Sequence, residues 1–148
     1  MREEPLPPFR QRTGLAAIVA LLLLTQPAPA NAAADLPYLF QGLKDPTFNR
    51  AFAALFKNKK DLAPWLRRYL ENRDGVDTPG RAIDASGTPY ELYALYEPHN
   101  CGGNFIYVLF SSLGGRGWAL FTKDGGNYRF FGTPDPQQRA LLTAAARE

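Results

Sequence analysis

The chain has one cysteine, one histidine and one methionine in 148 residues. A single Cys rules out any disulfide within the chain, because the bond needs two. One His and one Cys also fall short of the three or four protein ligands that zinc takes, so no metal site is expected. Strong charge is missing as well: 17 Lys and Arg face 14 Asp and Glu. That surplus is too small to imply a nucleic-acid partner. No P-loop, dinucleotide-binding fingerprint, catalytic carboxylate pair or Ser-His-Asp set rises above chance. Neither a cofactor nor an enzyme activity is therefore expected. Long apolar runs are scarce too, and the run over residues 15–24 is too short to span a bilayer comfortably.

That run has a different meaning in its context. Arg2, Arg10 and Arg12 precede it, Gln26 and Pro27 break it, and Ala28-Pro29-Ala30 follows as an A-x-A cleavage site. The order is that of a secretory signal peptide over residues 1–30, with Ala34 as the second-choice cleavage point. Residues 31–148 are then the mature chain, about 118 residues, the size of one small domain with no membrane span. It keeps 14 basic and 12 acidic residues, a net charge of +2. The signal reads as bacterial, so a periplasmic location is expected. Lys57, Lys59 and Lys60, with Arg67 and Arg68, form a local basic cluster that reads as solvated helix surface.

The mature chain reads as α+β. Asp45-Pro46 opens a helix with Phe48, Phe52, Leu55 and Phe56 on one face. A second helix is expected over residues 61–72, ended by Gly75, and a third after the N-cap Asp135, Pro136 and Gln138. Between them lie strands over residues 81–85, 90–96, 104–111, 118–122 and 128–131. The 104–111 strand is apolar on both faces, as for a strand covered on both sides. Short connections favour an antiparallel meander of about five strands flanked by helices.

The one His and the one Cys sit together, in Tyr96-Glu97-Pro98-His99-Asn100-Cys101-Gly102-Gly103. Proline before and two glycines behind, between two strands, make this a tight exposed turn, because Gly tolerates positive φ. The two most reactive side chains are thus expected at a loop tip, where scaffolds tend to present binding residues. A lone Cys in an oxidising compartment is a free thiol, half of an intermolecular bridge that would make a homodimer, or the remnant of a pair.

This order of features resembles the inhibitor of vertebrate lysozyme (Ivy) family, exported bacterial proteins with a Cys-x-Pro-His-x-Cys loop between two strands. The corresponding residues are Tyr96, Glu97, Pro98, His99, Asn100 and Cys101, followed by Gly102. The Phe-rich helix, the Pro64-Trp65 region, the strands flanking the loop and the terminal helix fall in the family's order, over roughly residues 36–146. The resemblance implies an Ivy-like fold and a C-type lysozyme as protein partner. It also implies occlusion: the loop enters the cleft where two carboxylic residues flank the glycosidic bond. His99 would meet those acids, since an imidazole can donate from both nitrogens once protonated. Asn100 would add amide hydrogen bonds, while Pro98 and Gly102 would shape the loop. Glu97 would cost energy there unless it points away. One position departs from the pattern: Tyr96 stands where the family has its first loop cysteine, so the loop disulfide cannot form. Tyr96 must order the loop by packing, or the loop stays mobile.

Two other readings compete. The chain is a family member that binds another periplasmic partner, such as a lytic transglycosylase or a cell-wall fragment, or it is a thiol-dependent enzyme at Cys101. The second needs a base aligned with the thiol, and His99 is the only candidate.

Overall fold

The computed structural model describes residues 35–148 apart from Gly125. The expected signal peptide, residues 1–30, lies outside the described residues. In chain order the elements are β1 (Asp35–Tyr38), α1 (Leu39–Gly42), α2 (Pro46–Phe56), α3 (Pro64–Asn72), β2 (Val76–Asp77), β3 (Pro79–Ala85), β4 (Thr88–Tyr96), β5 (Phe105–Ser111), β6 (Gly117–Lys123), β7 (Asn127–Phe131) and α4 (Pro136–Ala145).

The helix ends follow from local chemistry. The Asp45 carboxylate accepts the Thr47 N–H at 2.7 Å, and Pro46 takes the first helical position of α2. In α4 the Asp135 carboxylate accepts from the Gln138 N–H, and the Gln138 side chain accepts from the Asp135 N–H, both at 2.9 Å. α3 starts at Pro64 and not at Asp61. Proline disfavours helical backbone in the residue before it, and Ala63 is extended. Its end at Asn72 is as expected, but the residue that stops it is not Gly75. Arg73, not Gly75, takes the left-handed conformation. The Arg73 guanidinium donates to the Tyr69 and Leu70 carbonyls at 3.0 Å each and to Asn49 Oδ1 at 2.9 Å, which ties α3 to α2. Gly75 is needed for space instead, since a Cβ there would lie 2.7 Å from the buried Tyr69 ring.

The sheet is antiparallel and has seven strands, against about five expected. The five expected strands form the meander β3 to β7. β1 adds to the outer edge of β3, and β2 pairs with the end of β4 that β3 does not reach. Both extra strands are short, and β1 contains Pro37, which hides it from a pattern search.

Alternation along β5 sends Ile106, Val108 and Phe110 to one face of the sheet and Tyr107 and Leu109 to the other. The first face carries the larger core, where Phe52, Phe56, Trp65, Leu66 and Tyr69 from α2 and α3 pack on the strands. On the second face, Leu142 and Ala145 of α4 pack on Leu92, Leu109, Trp118 and Leu120. β5 is therefore covered on both faces along most of its length, as expected. At its start Phe105 and Tyr107 stay half-buried, so the end of the sheet that carries the β4–β5 loop is the more open one.

Candidate functional site

The β4–β5 loop is built on a register that outlasts the strands. Leu95 pairs with Ile106 and Tyr96 with Phe105. The next pair in step is Glu97 with Asn104, and the Glu97 N–H donates to the Asn104 carbonyl at 2.9 Å. Tyr96 and Phe105 bring their rings to 6.1 Å across this base. Six residues, 98–103, are left to reverse the chain, and they do so in two turns. In the first, the Asn100 N–H donates to the Glu97 carbonyl at 3.0 Å. Pro98 is second and His99 third, and His99 has φ 65°, the combination of a type II turn. In the second, the Gly103 and Asn104 N–H groups donate to the Asn100 carbonyl at 3.2 and 3.3 Å.

The residue that adopts positive φ is therefore His99 itself, whereas the sequence points to the glycines. A non-glycine residue there costs on the order of 1 kcal/mol, although His is among the residue types that accept it more often. The turn holds that conformation through Pro98 and its closing hydrogen bond. His99, Asn100, Cys101 and Gly102 are all exposed, and Pro98 is half-buried. The expected loop-tip presentation is what the structure has.

Glu97 points away from the tip. Its Oε2 accepts from the Asn104 amide at 2.6 Å and from the Asn100 amide at 2.9 Å. Asn104 Oδ1 in turn accepts the Asp124 N–H at 3.2 Å, which links the loop base to the β6–β7 turn. Hydrogen bonds to a carboxylate favour its charged form. Those from Asn104 and Asn100, with the Arg68 guanidinium as a smaller influence, hold the Glu97 carboxyl below the ordinary glutamate range. One amide donor of Asn100 is thus turned inward, toward the loop's own frame.

The sequence marks Gly103 only as a turn glycine and Asn104 only as the start of a strand, not as parts of this frame. A Cβ on Gly103 would lie 2.8 Å from Asn100 Oδ1, whereas one on Gly102 would meet nothing within 4 Å. The signal that would have found Asn104 is its mirror position to Glu97 about the turn. Beside the Glu97–Asn104 hydrogen bond lies a cleft of about 260 Å³, lined among others by Asp61, Trp65, Phe121 and Lys123 together with Glu97 and Asn104.

The thiol of Cys101 is exposed and free, with Sγ 3.8 Å from the Glu97 carbonyl oxygen. Among the described residues no group of three or more His, Cys, Asp or Glu is placed to hold a metal. Lys57, Lys59, Lys60, Arg67 and Arg68 are exposed at the end of α2, in the connection after it and on the outer face of α3. Among the described residues no helix is long and apolar enough to cross a membrane.

No protein-family model matches the chain. Two curated relatives do. One is an inhibitor of vertebrate lysozyme from Pseudomonas aeruginosa, 28% identical over 145 residues, covering 87% of this chain and 92% of that protein. The chain is similar to a lysozyme inhibitor. The other relative, an uncharacterized protein of Yersinia pestis, is 26% identical over 141 residues and covers 87% of each chain. The resemblance to the inhibitor of vertebrate lysozyme family, carried in the sequence by the His99 loop, thus extends over most of the molecule. The named relative is, by its name, an inhibitor.

Proposed function

We propose that this chain is an exported, non-enzymatic inhibitor of C-type lysozyme, with residues 1–30 as signal peptide, 31–148 as the mature domain and the periplasm as its site of action. The loop of Glu97, Pro98, His99, Asn100, Cys101 and Gly102 enters the active-site cleft. There His99 lies between the two catalytic carboxylic residues, where an imidazole gains charge and donates from both nitrogens. The observation that carries this reading is the placement of His99, exposed at the tip of a narrow two-turn loop whose base is closed by backbone pairing. Similarity over most of the chain to an inhibitor of vertebrate lysozyme supports the choice of partner.

Inhibition of a C-type lysozyme by the purified protein tests it, with His99→Ala as the comparison. As a central, desolvated anchor, His99 should account for about 2 kcal/mol or more, roughly a 30-fold rise in Kd. Folding should be unaffected, because the side chain is exposed. Equal inhibition by both proteins would remove the occlusion mechanism.

A further inference from the structure

We infer that Glu97 is the positioning residue of the loop: its carboxylate, by gathering the amides of Asn100 and Asn104 onto one oxygen, holds His99 in its presented form. This rests on the reading of the loop as the lysozyme-binding element and adds how that element is kept in shape. Several observations carry it. Glu97 Oε2 takes both amides, at 2.9 and 2.6 Å, so one acceptor joins the middle of the loop to its far strand. Asn100 is the pivot of both turns: its N–H closes the first and its carbonyl closes the second. Fixing its side chain therefore fixes the residues on either side of it, His99 included. Gly103 leaves the space in which the Asn100 amide sits. Asn104 is itself tied to the β6–β7 turn, its Oδ1 accepting the Asp124 N–H at 3.2 Å. Covalent closure of the loop is not available, because Cys101 is the chain's only cysteine.

A carboxylate that accepts two amides loses part of that role on protonation, because the protonated oxygen becomes a donor. Of the charged groups, Arg68 on α3 acts on Glu97, and Asp61 ahead of α3 and Lys123 at the end of β6 line the cleft that Glu97 shares, while His99 lies two residues along the loop, at the tip from which Glu97 points away. Glu97 is held below its ordinary value of 4.5, so this two-amide clasp is complete above that pH. It weakens as the pH falls through the lower folded-state value, the neutral carboxyl keeping only its carbonyl oxygen as an acceptor.

The experiment is backbone amide exchange by NMR on the protein, Glu97→Ala and Glu97→Gln across a pH series, corrected for intrinsic rates. In Glu97→Ala the Asn100, Gly103 and Asn104 amides should lose protection about tenfold, with β4 and β5 unchanged. Glu97→Gln keeps an amide oxygen acceptor, so it should retain most of the protection at neutral pH. Having no carboxyl to protonate, it should lack the parent's acid step. Equal protection in parent and Glu97→Ala, or an acid step that persists in Glu97→Gln, overturns the assignment. Lysozyme binding by the same three proteins is the second arm. About tenfold weaker binding by Glu97→Ala with near-parent binding by Glu97→Gln supports positioning. Parent-like binding by Glu97→Ala overturns it. If none of the three binds lysozyme, the proposed function fails, and the exchange data alone decide the clasp.

Discussion

A Cβ added at Gly102 meets no atom within 4 Å, whereas one at Gly103 would press on Asn100 Oδ1. Gly102→Ala should therefore leave stability within about 0.5 kcal/mol of the parent. Gly103→Ala should displace the Asn100 amide and weaken inhibition by about 1–2 kcal/mol, with little change in Tm, since the site is at the loop and not in the core. Comparing inhibition constants and melting curves of the two variants checks both statements. The thiol gives a third test at this scale. Cys101 is exposed, with one weak contact to the Glu97 carbonyl, so it should react with a thiol reagent in the native protein. Cys101→Ser should then leave fold and inhibition nearly intact; loss of a measurable activity would favour a thiol enzyme instead. At this scale the sequence told where the reactive residues lie, because Pro98 and the two glycines mark a turn. It did not tell which residue takes positive φ, nor that Glu97 turns inward. Both depend on the register of β4 against β5, which places Glu97 opposite Asn104.

Among the elements, β4 and β5 do most to define the loop, and Tyr96 is where they meet it. Tyr96 is half-buried against Phe105, and the Tyr107 hydroxyl on the same face is pushed up to about 12, by burial first and then by its neighbour Tyr96. Tyr96→Cys would supply a partner for Cys101. The Glu97–Asn104 pairing already closes the base, so the bridged variant should change the lysozyme off-rate by less than about threefold. Mass spectrometry to confirm the bridge and a dissociation measurement check this; a much slower off-rate would show that the unbridged loop is still loose. The long elements were legible because each carries its own punctuation: Asp45-Pro46 for α2, Asp135 and Gln138 for α4, apolar segments bounded by turn residues for β3 to β7. β1, α1 and β2 span only two to four residues each, too few for a period to register, and they exist because neighbouring strands and the core receive them. The residue that stops α3 was hidden for a related reason. Gly75 looks like a helix stop, but the stop is set by the contacts of Arg73 with Tyr69, Leu70 and Asn49.

At the scale of the whole molecule, the sheet is loaded unequally. Three helices cover one face, and α4 alone covers part of the other. Leu142 is the fully buried anchor of that helix. Leu142→Ala should cost about 2–5 kcal/mol of stability through lost burial and the cavity left behind. Inhibition at a temperature where the variant is still folded should stay near that of the parent, because the loop lies beyond Tyr96 and Phe105, outside the cluster that Leu142 packs into. Denaturant unfolding and an inhibition assay on the same sample separate the two effects. The α+β class was legible from the balance of periods along the chain, and so was cover on both faces of β5, while which helix covers which face was not, because α4's choice of face depends on how the last turn leaves β7. The loop base has a further consequence, for manufacture. Its backbone pairing, amide clasp and ring contact are complete as soon as β4 and β5 come together. No oxidase has to act on it and no mispaired bridge has to be repaired. The protein produced in a reducing cell interior should therefore carry the same working loop as protein secreted to an oxidising one.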